Sequence, residues 1–519
     1  MAKHPLATAL WSQNRDTTAI RKAEDFAKFT ITSLMADPLL QTGPNAQVLE
    51  YDFQSLGALL VNNLTAKLVM ILFPPGRPAF RIEVSEEILQ AAKAKGIDEA
   101  EITNKAAQLE QQSTKRLFVN AGLSKLHRAL KLLIVTGNAL IYRDTTTGKF
   151  LVWGMHNYVQ RRTPTGEPSQ VVLKQRMRLS EMPKELARDA IAKRAASEND
   201  ESPLDLYTVI EWSGDGDARR VEVHQQIGDK RVGPISTYPA HLCPWIPAVW
   251  NLVDGEHMGR GYVEEYSGDF AKLSLISEQL GMYELESLNV LNLVDESAGG
   301  VVDDYQNADT GDYVPGKTGA VTAYERGDYN KIAAVNNGLA ALATRLQMAF
   351  MYTGQMRDAE RVTAAEIRQV ANEAENLLGG VYSLLAETVQ TPIAYLTIYE
   401  VARASGNLML GVLNRTYKPQ IVAGLPALTR AADTQNILQA TQEAAAVVPA
   451  LGQLSKRFDT EKIVELIFRN NSVDLDAISK SADQIAQEGQ QEQAQAMAGM
   501  NAAEAAVTAT DTLPTVIAQ

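Results

Sequence analysis

One cysteine, Cys243, stands in a chain of 519 residues, so an intrachain disulfide framework is excluded, and such thiol poverty suits a reducing compartment. Long apolar runs are equally scarce. The opening MAKHPLATALWSQNRD holds no stretch suited to a secretory signal. The two most apolar segments, GALLVNNLTAKLVMILF and LKLLIVTGNALIY, are interrupted by Asn, Lys or Gly. Neither reaches the roughly 20 clean residues that a membrane span needs. Basic charge is in deficit: 49 Lys and Arg against 62 Asp and Glu leave a net charge of −13. A field of that sign repels a polyanion at long range, which argues against a repressor or a histone-like packaging protein. It leaves room for a protein past which DNA slides without sticking.

Catalytic signatures are thin as well. The six histidines are scattered without an H-E-x-x-H, His241-x-Cys243 has no companion pair to complete a metal site, and there is no G-x-S-x-G elbow. What is present is ordinary globular stock, 45% apolar and 21% charged, enough for two to four domain-sized units of a soluble intracellular protein.

The periodicity divides the chain. Helical spacing runs from Thr17 to Leu34 and again over about 53–73, where Leu56, Leu59, Leu60, Leu64, Leu68, Ile71 and Leu72 share a face and Pro74-Pro75 ends it. AFRIEVS alternates like a short strand, 86–118 is helix-compatible, and 120–136 is amphipathic. After Gly137 the texture becomes strand and turn: NALIYRD, FLVWGM, QVVLKQRMRL, DLYTVIEW, RRVEVHQQI and AVWNLV, with a charged helix near 180–196. No βαβ alternation appears, so the class is α+β with a mostly antiparallel sheet. Helix returns over Tyr262–Leu293, followed by an irregular Gly-, Asp- and Tyr-rich module to about Asn330 and a helix over 331–351. MYTGQMRDAERV is a polar loop.

A long helix then opens with the capping box Thr363-Ala-Ala-Glu366, and Ile367, Val370, Ala374, Leu377, Val381, Leu384 and Thr388 step by 3 and 4. Gly379-Gly380 in its middle costs about 1 kcal/mol per Gly relative to Ala, which a kink or a close helix approach would justify, with mere tolerance of the pair as the plain alternative. From Asp474 on, seven acids face one Lys in a Gln/Ala-rich run that is poor at building its own core.

GDYVPGKT, residues 311–318, fits the phosphate-loop pattern G-x-x-x-x-G-K-[ST] at Gly311, Gly316, Lys317 and Thr318. The chemistry also needs a buried strand ending at the first Gly and a helix starting at Lys-Thr. The residues before Gly311 are polar, Asp309 and Asp312 would repel a phosphate, and GAVTAYERGDY downstream favours a strand. The expectation is therefore a hairpin connection. Asp295, Glu296, Asp303, Asp304, Asp309 and Asp312 make an acidic cluster that reads as a solvated loop surface rather than a Mg²⁺ site.

Several blocks in order, VNNLTAKLVMILFP, LKLLIVTGNALIYRD, CPWIPAVWNLVDGEHMGRGYVEEYSGDFAKL, TGDYVPGK, RLQMAFM and ERVTAAEIRQVANEAENLLGGVYSLLAETVQTPI, together resemble the head-to-tail connector (portal) proteins of short-tailed bacteriophages. The resemblance spans about residues 50–400. It implies a predominantly helical portal fold with wing, stem, clip and crown regions and an antiparallel sheet in the wing. It apportions the chain as wing (1–261), first stem helix (262–293), clip (294–330), second stem helix (331–351), tunnel loop (352–362), long helix (363–404), and wing or crown helices with an acidic tail (405–519). It further implies a ring of about twelve subunits at one capsid vertex, a channel for double-stranded DNA, and partners in the terminase packaging motor, tail adaptor or tube proteins, and major capsid and scaffolding proteins.

No membrane, metal, cofactor or catalytic residue enters this picture. The location implied is the virion, after assembly in the host cytoplasm. Lys331, Arg345, Arg357 and Arg361 are the implied channel cations, with intersubunit salt bridges as the competing role. Asp303, Asp304, Tyr313 and Lys317 are the implied clip contacts, while Thr363, Glu366, Gly379 and Gly380 are structural. Twelve copies would carry about −156, a charge that discourages adhesion to DNA. An NTP-driven packaging motor built on GDYVPGKT, and a scaffold or adaptor without a channel, are the rival readings.

Overall fold

Asp16 starts the first sustained helix. Its Oδ1 accepts from the Thr18 and Ala19 N–H groups at 3.0 and 2.9 Å, satisfying two donors that a helix start leaves open. The computed structural model describes residues 6–36, 50–74, 79–83, 99–197, 202–295, 297, 301–325, 329–352, 364–378, 380–405 and 420–422. All lie in the first of the two units into which the chain divides, Met1–Leu428.

A short helix α1 (Ala7–Asn14) precedes α2 (Thr17–Lys28). The periodic stretch expected to continue to Leu34 breaks at Phe29-Thr30 and resumes as a 3₁₀ turn over Thr32–Met35. Helix α3 (Leu56–Leu72) buries the expected face through Leu60, Leu64, Leu68, Ile71 and Leu72, with Leu59 turned outward. Strand β1 (Arg81–Glu83), α4 (Glu99–Leu117) and α5 (Gly122–Thr136) follow.

The sheet region is antiparallel throughout, as the turn-punctuated pattern predicts. Strands β2 (Asn138–Arg143), β3 (Phe150–Trp153) and β9 (Trp245–Val249) form one sheet in the order β3-β2-β9. Strands β4 (Tyr158–Arg162), β5 (Pro168–Met177), β6 (Leu204–Ser213), β7 (Arg220–Ile227) and β8 (Lys230–Pro239) form a five-stranded meander. Helix α6 (Lys184–Ala192) packs on β8.

Leu140 of the first sheet and Tyr158, Leu173 and Ile210 of the second share a core. On the other face of the meander, Trp11 of α1 meets Tyr207 edge-on at 6.2 Å. Two strands were not legible in the sequence. In β4, polar Gln160 and Arg162 are buried because Gln160 Nε2 donates to His257 O at 2.7 Å and Arg162 Nη2 to Pro247 O at 2.8 Å. In β8, Gly233 and Pro234 interrupt an edge strand, the one place in a sheet where Pro is tolerated.

Gly137 ties the helices to this sheet. It ends α5 with φ +76°, a left-handed conformation, and a Cβ there would lie 2.3 Å from the Arg260 carbonyl carbon. Asn138 Nδ2 donates to Gly259 O while Gly259 N–H donates back to Asn138 Oδ1, both at 2.7 Å. The DGEHMGRG segment is thereby fastened to the helix end, and from it the chain enters α7 (Tyr262–Glu265) and α8 (Ser267–Ser287).

Helix α8 stops at Ser287 rather than Leu293. Residues Val290–Val294 instead form β10, which pairs with β11 (Val321–Glu325), Val290 facing Glu325 and Val294 facing Val321. Between them lies the one-turn helix α9 (Val302–Gln306). Helix α10 (Tyr329–Ala349) packs against α8.

The expected continuous helix over 363–404 is broken. Helix α11 (Ala364–Leu378) is followed by Gly380 at φ +86°, α12 (Val381–Leu385), one π turn at Ala386–Gln390, and α13 (Thr391–Ser405). Among the described residues a Cβ at Gly380 would meet nothing within 4 Å, while the positive φ marks a kink that glycine accommodates. Ser383 bridges the break, donating from N and Oγ to Glu375 at 3.3 and 2.8 Å. The π turn aims buried Gln390 at the end of α3, where its Nε2 donates to Leu72 O at 2.6 Å. Strand β12 (Gln420–Val422) pairs with β1.

Candidate functional site: a helix pair and its hairpin

Helices α8 and α10 meet over a small aromatic core. Phe350 lies 5.0 Å from Tyr262 and 5.7 Å from Tyr266 and Phe270, ring centre to ring centre, and Tyr262 Oη donates to Ala349 O at 2.9 Å. Burial, with Tyr266 beside it, pushes the Tyr262 phenol well above its ordinary pKa, so it stays a neutral donor.

The end of α10 is held from α3. Tyr352 N–H reaches Gln347 O and Met351 N–H reaches Met348 O, a Schellman closure in which Met351 takes the left-handed position at φ +55° that glycine usually fills. Asn63 Nδ2 donates to Phe350 O and Met351 O at 3.0 and 3.2 Å, and Lys67 Nζ donates to Met351 O. Both residues come from the VNNLTAKL block, whose polar interruptions thus have a structural purpose.

Away from that junction the pair is bare. Of the 21 residues of α8, only Phe270 and Leu273 are buried. Leu275, Met282, Leu285 and Leu288 are exposed, Leu288 to 77%. The apolar exposure continues into β10 at Val290, Leu291 and Leu293 and into β11 at Val321 and Tyr324. Helix α10 has only Lys331 and Arg345 as charged residues, and its exposed positions include Ala334, Asn336, Asn337, Gly338, Ala340 and Thr344.

The expected channel cations separate. Arg345, more than half exposed, donates to Asp269 of α8 in the same chain. Lys331 is exposed in the first turn of α10. Arg357, Arg361, Thr363 and Gly379 lie outside the described residues, and Glu366 falls in the first turn of α11.

The phosphate-loop match lies in the connection between β10 and β11. Gly311 sits in a turn at φ +106°, Lys317 O accepts from Ala320 N–H in another, and Tyr305 Oη donates to Pro315 O at 3.2 Å. No strand ends at Gly311 and no helix starts at Lys317, so the geometry that would converge N–H groups on a phosphate is missing. Asp303 and Asp304 are exposed in the single turn of α9, and Tyr313 is fully exposed. Asp295 accepts from Ser297 N and Oγ, which holds its carboxyl below the usual range. Among the described residues no group of three His, Cys, Asp or Glu could hold a metal ion. Likewise no helix among them is long and apolar enough to cross a membrane.

A buried ion cluster escaped sequence reasoning. Glu400 of α13 accepts from Arg143 Nη2 at 2.6 Å and from Arg116 Nε at 2.5 Å, joining α13 to β2 and α4. Arg143 is fully buried over the Phe150 ring, 4.6 Å from its centre. An Arg closing the apolar strand NALIYR and a Glu inside an apolar helix were its only sequence signals.

The profile of the family described as bacteriophage head to tail connecting protein matches residues 6–478. A portal protein of Pseudomonas phage phiKMV is 47% identical over 490 residues, covering 94% of each chain. A portal protein of Enterobacteria phage SP6 is 29% identical, covering 83% of this chain and 82% of that one. One from Escherichia phage T7 is also 29% identical, covering 82% and 79%. A solved chain from the neck of an empty gene transfer agent particle aligns at 12% identity over 80% of this chain and 90% of its own, with a TM-score of 0.35. Superposition that shallow adds no weight.

Proposed function

The chain belongs to the bacteriophage head to tail connecting proteins, and from that premise we propose that identical copies close into a ring whose axial channel passes double-stranded DNA. Its role is that of a portal between head and tail. The observation that carries the ring is the apolar exposure of α8, β10 and β11. A single copy leaves Leu275, Met282, Leu285, Leu288, Leu291 and Leu293 in water, and large apolar side chains exposed in this number favour a surface that a partner covers. In a ring each copy buries two different surfaces against its neighbours.

In this reading residues 1–261 form the wing, 262–293 and 331–351 the stem, 294–330 the clip, 352–362 the tunnel loop and 363–404 the stretch returning to the wing, with the chain beyond 405 contributing wing or crown. The clip presents Asp303, Asp304, Tyr313 and Lys317 to the terminase motor during packaging and to the tail adaptor afterwards. The wing meets capsid and scaffolding proteins at the vertex, after assembly in the host cytoplasm. Threading is powered elsewhere, and the chain itself does no chemistry.

The acidic balance limits adhesion: a conduit must not hold its cargo, and a net −13 per copy repels phosphate at distances beyond contact. Mass measurement with negative-stain microscopy of the purified protein tests the proposal. Twelve copies of 56.6 kDa give particles of about 680 kDa with an axial hole. Monomers at all concentrations, or assemblies without a hole, would overturn it.

A further inference from the structure

The core shared by the three-stranded sheet and the meander stops short of the sheet edge, and a groove of about 630 Å³ opens there. Leu140 fills the inner part of that interface, against Tyr158, Leu173 and Ile210. Tyr142, two residues farther along β2, faces the same side of its sheet. Its ring lies 4.3 Å from Trp245 of β9 and 6.5 Å from Trp153 of β3, centre to centre. The two tryptophans stack on each other at 5.6 Å and 21°. Register produces this arrangement: Tyr142 pairs with Trp245 and Leu140 with Trp153, so all three rings stand on one face of the sheet. Each stays partly exposed, and together they form one wall of the groove.

Helix α6 supplies the facing wall, and it is firmly placed. Asp189 Oδ2 accepts from Gly233 N–H of β8 at 2.7 Å and from Lys193 Nζ at 2.8 Å. Gly233, at φ +71°, lets the helix approach so closely that a Cβ there would lie 3.0 Å from Leu186 Cδ1. Spacing by four puts Glu185 on the same helix face as Asp189 and Lys193, and all three line the groove. Asp189 and Lys193 neutralise each other. Glu185 is exposed and has no ion pair among the described residues, so the groove keeps one uncompensated negative charge. Lys184 and Arg188 fall elsewhere on the helix and do not line it.

The geometry points to this groove as the docking site for an extended, arginine-bearing segment of a partner protein, with the guanidinium stacked on Trp153 and Trp245 and bonded to Glu185. Aromatic faces carry the negative part of the ring quadrupole and attract a cation. A guanidinium is flat and always charged, so it stacks on a ring while its edge donates to a carboxylate. A lysine ammonium is compact and strongly hydrated and forfeits the stacking. A proline would use the rings and leave Glu185 idle. Single-stranded nucleic acid would stack as well, but its phosphates would meet Glu185 in a chain that is already acidic. The volume lies within the about 300–1,000 Å³ of ligand pockets, room for a few extended residues and not for a folded partner. None of the lining residues belongs to α8, α10 or the β10–β11 hairpin, so the assignment stands apart from the ring proposed above.

Fluorescence anisotropy of the purified protein with a labelled GAPRPAG peptide, whose prolines hold it extended, tests the assignment. The control peptide carries citrulline in place of arginine, which keeps the planar group and loses the charge. Saturable binding of the arginine peptide is expected, weaker by at least about fivefold for citrulline. Glu185 and Leu151 are exposed positions on the groove, where substitution should leave the circular dichroism spectrum unchanged. Glu185→Gln should weaken the arginine peptide by about threefold or more and leave the citrulline peptide unaffected. Leu151→Lys should weaken the arginine peptide by repulsion, and Trp153→Leu should weaken both peptides.

An arginine peptide that never saturates, that binds no tighter than citrulline, or that binds Glu185→Gln as well as the parent protein would overturn the assignment. So would an oligothymidylate that binds more tightly than the peptide and is lost on Trp153→Leu, because the rings would then serve bases. Each of these results leaves the ring standing.

Discussion

Replacing Glu400 by Gln removes the only carboxylate that, among the described residues, is bonded to the fully buried Arg143. Arg143 is 0% exposed, and its Nε and Nη1 have no hydrogen-bond partner among the described residues, so Glu400 is what compensates its charge. Burial already drives the Arg143 pKa downward, and the attraction and hydrogen bond of Glu400 oppose that drive. Arg116, with a third of its side chain exposed, can turn to water when Glu400 is lost, but Arg143 cannot. Breaking a buried pair in this way costs about 3–5 kcal/mol, and Gln, which keeps an acceptor oxygen, should lie near the lower end.

The partnered replacement Arg143→Met with Glu400→Leu should cost far less than the two single changes combined. A well-packed apolar pair avoids the desolvation of both charges, and the coupling should exceed about 2 kcal/mol. Denaturant unfolding followed by tryptophan fluorescence reads the effect, since Trp250 is fully buried in the main core. A Glu400→Gln protein within 1 kcal/mol of the parent, or single changes that simply add, would refute the reasoning.

Gly137→Ala should abolish soluble, ring-forming protein, because its Cβ would collide with the backbone of Arg260 and Gly261 at 2.3 and 2.6 Å. Gly380→Ala meets no atom of the described residues and should cost only the left-handed backbone penalty of about 1–2 kcal/mol, with rings still seen by microscopy. Asn63→Ala withdraws the donor shared by Phe350 O and Met351 O and should destabilise the end of α10 by about 1–2 kcal/mol, read as faster hydrogen exchange over the last turn of that helix. Lys317→Ala should leave nucleotide hydrolysis at the level of the parent protein, namely none; a hydrolysis rate that the substitution removes would revive the motor reading.

Much of the helix-and-sheet framework was legible because burial follows period. Leu60, Leu64 and Leu68 face inward on a 3.6-residue repeat, and the strand-turn texture after Gly137 announces the antiparallel sheets. The helix-to-strand change at Leu288–Val294 was not legible. Leu285, Leu288 and Leu291 keep helical spacing while Leu291 and Leu293 alternate, and the choice is made by pairing with Val321–Glu325, a segment distant in sequence. Strand β4 was hidden for a related reason, since its inward Gln160 and Arg162 find acceptors on segments far along the chain. Turn chemistry, by contrast, is local, and the polar residues around GDYVPGKT sufficed to recognise a hairpin connection. Arg345 shows the limit for sites, because family order positions a cation on a helix and only the fold reveals Asp269 opposite it.

The most direct measurement is a reconstruction of the DNA-filled particle without imposed symmetry. The account predicts this chain at a single vertex, as a closed annulus of about twelve copies with duplex density along its axis. The chain at many vertices, or a plug of protein with DNA ending outside it on every class of particle, would contradict the account.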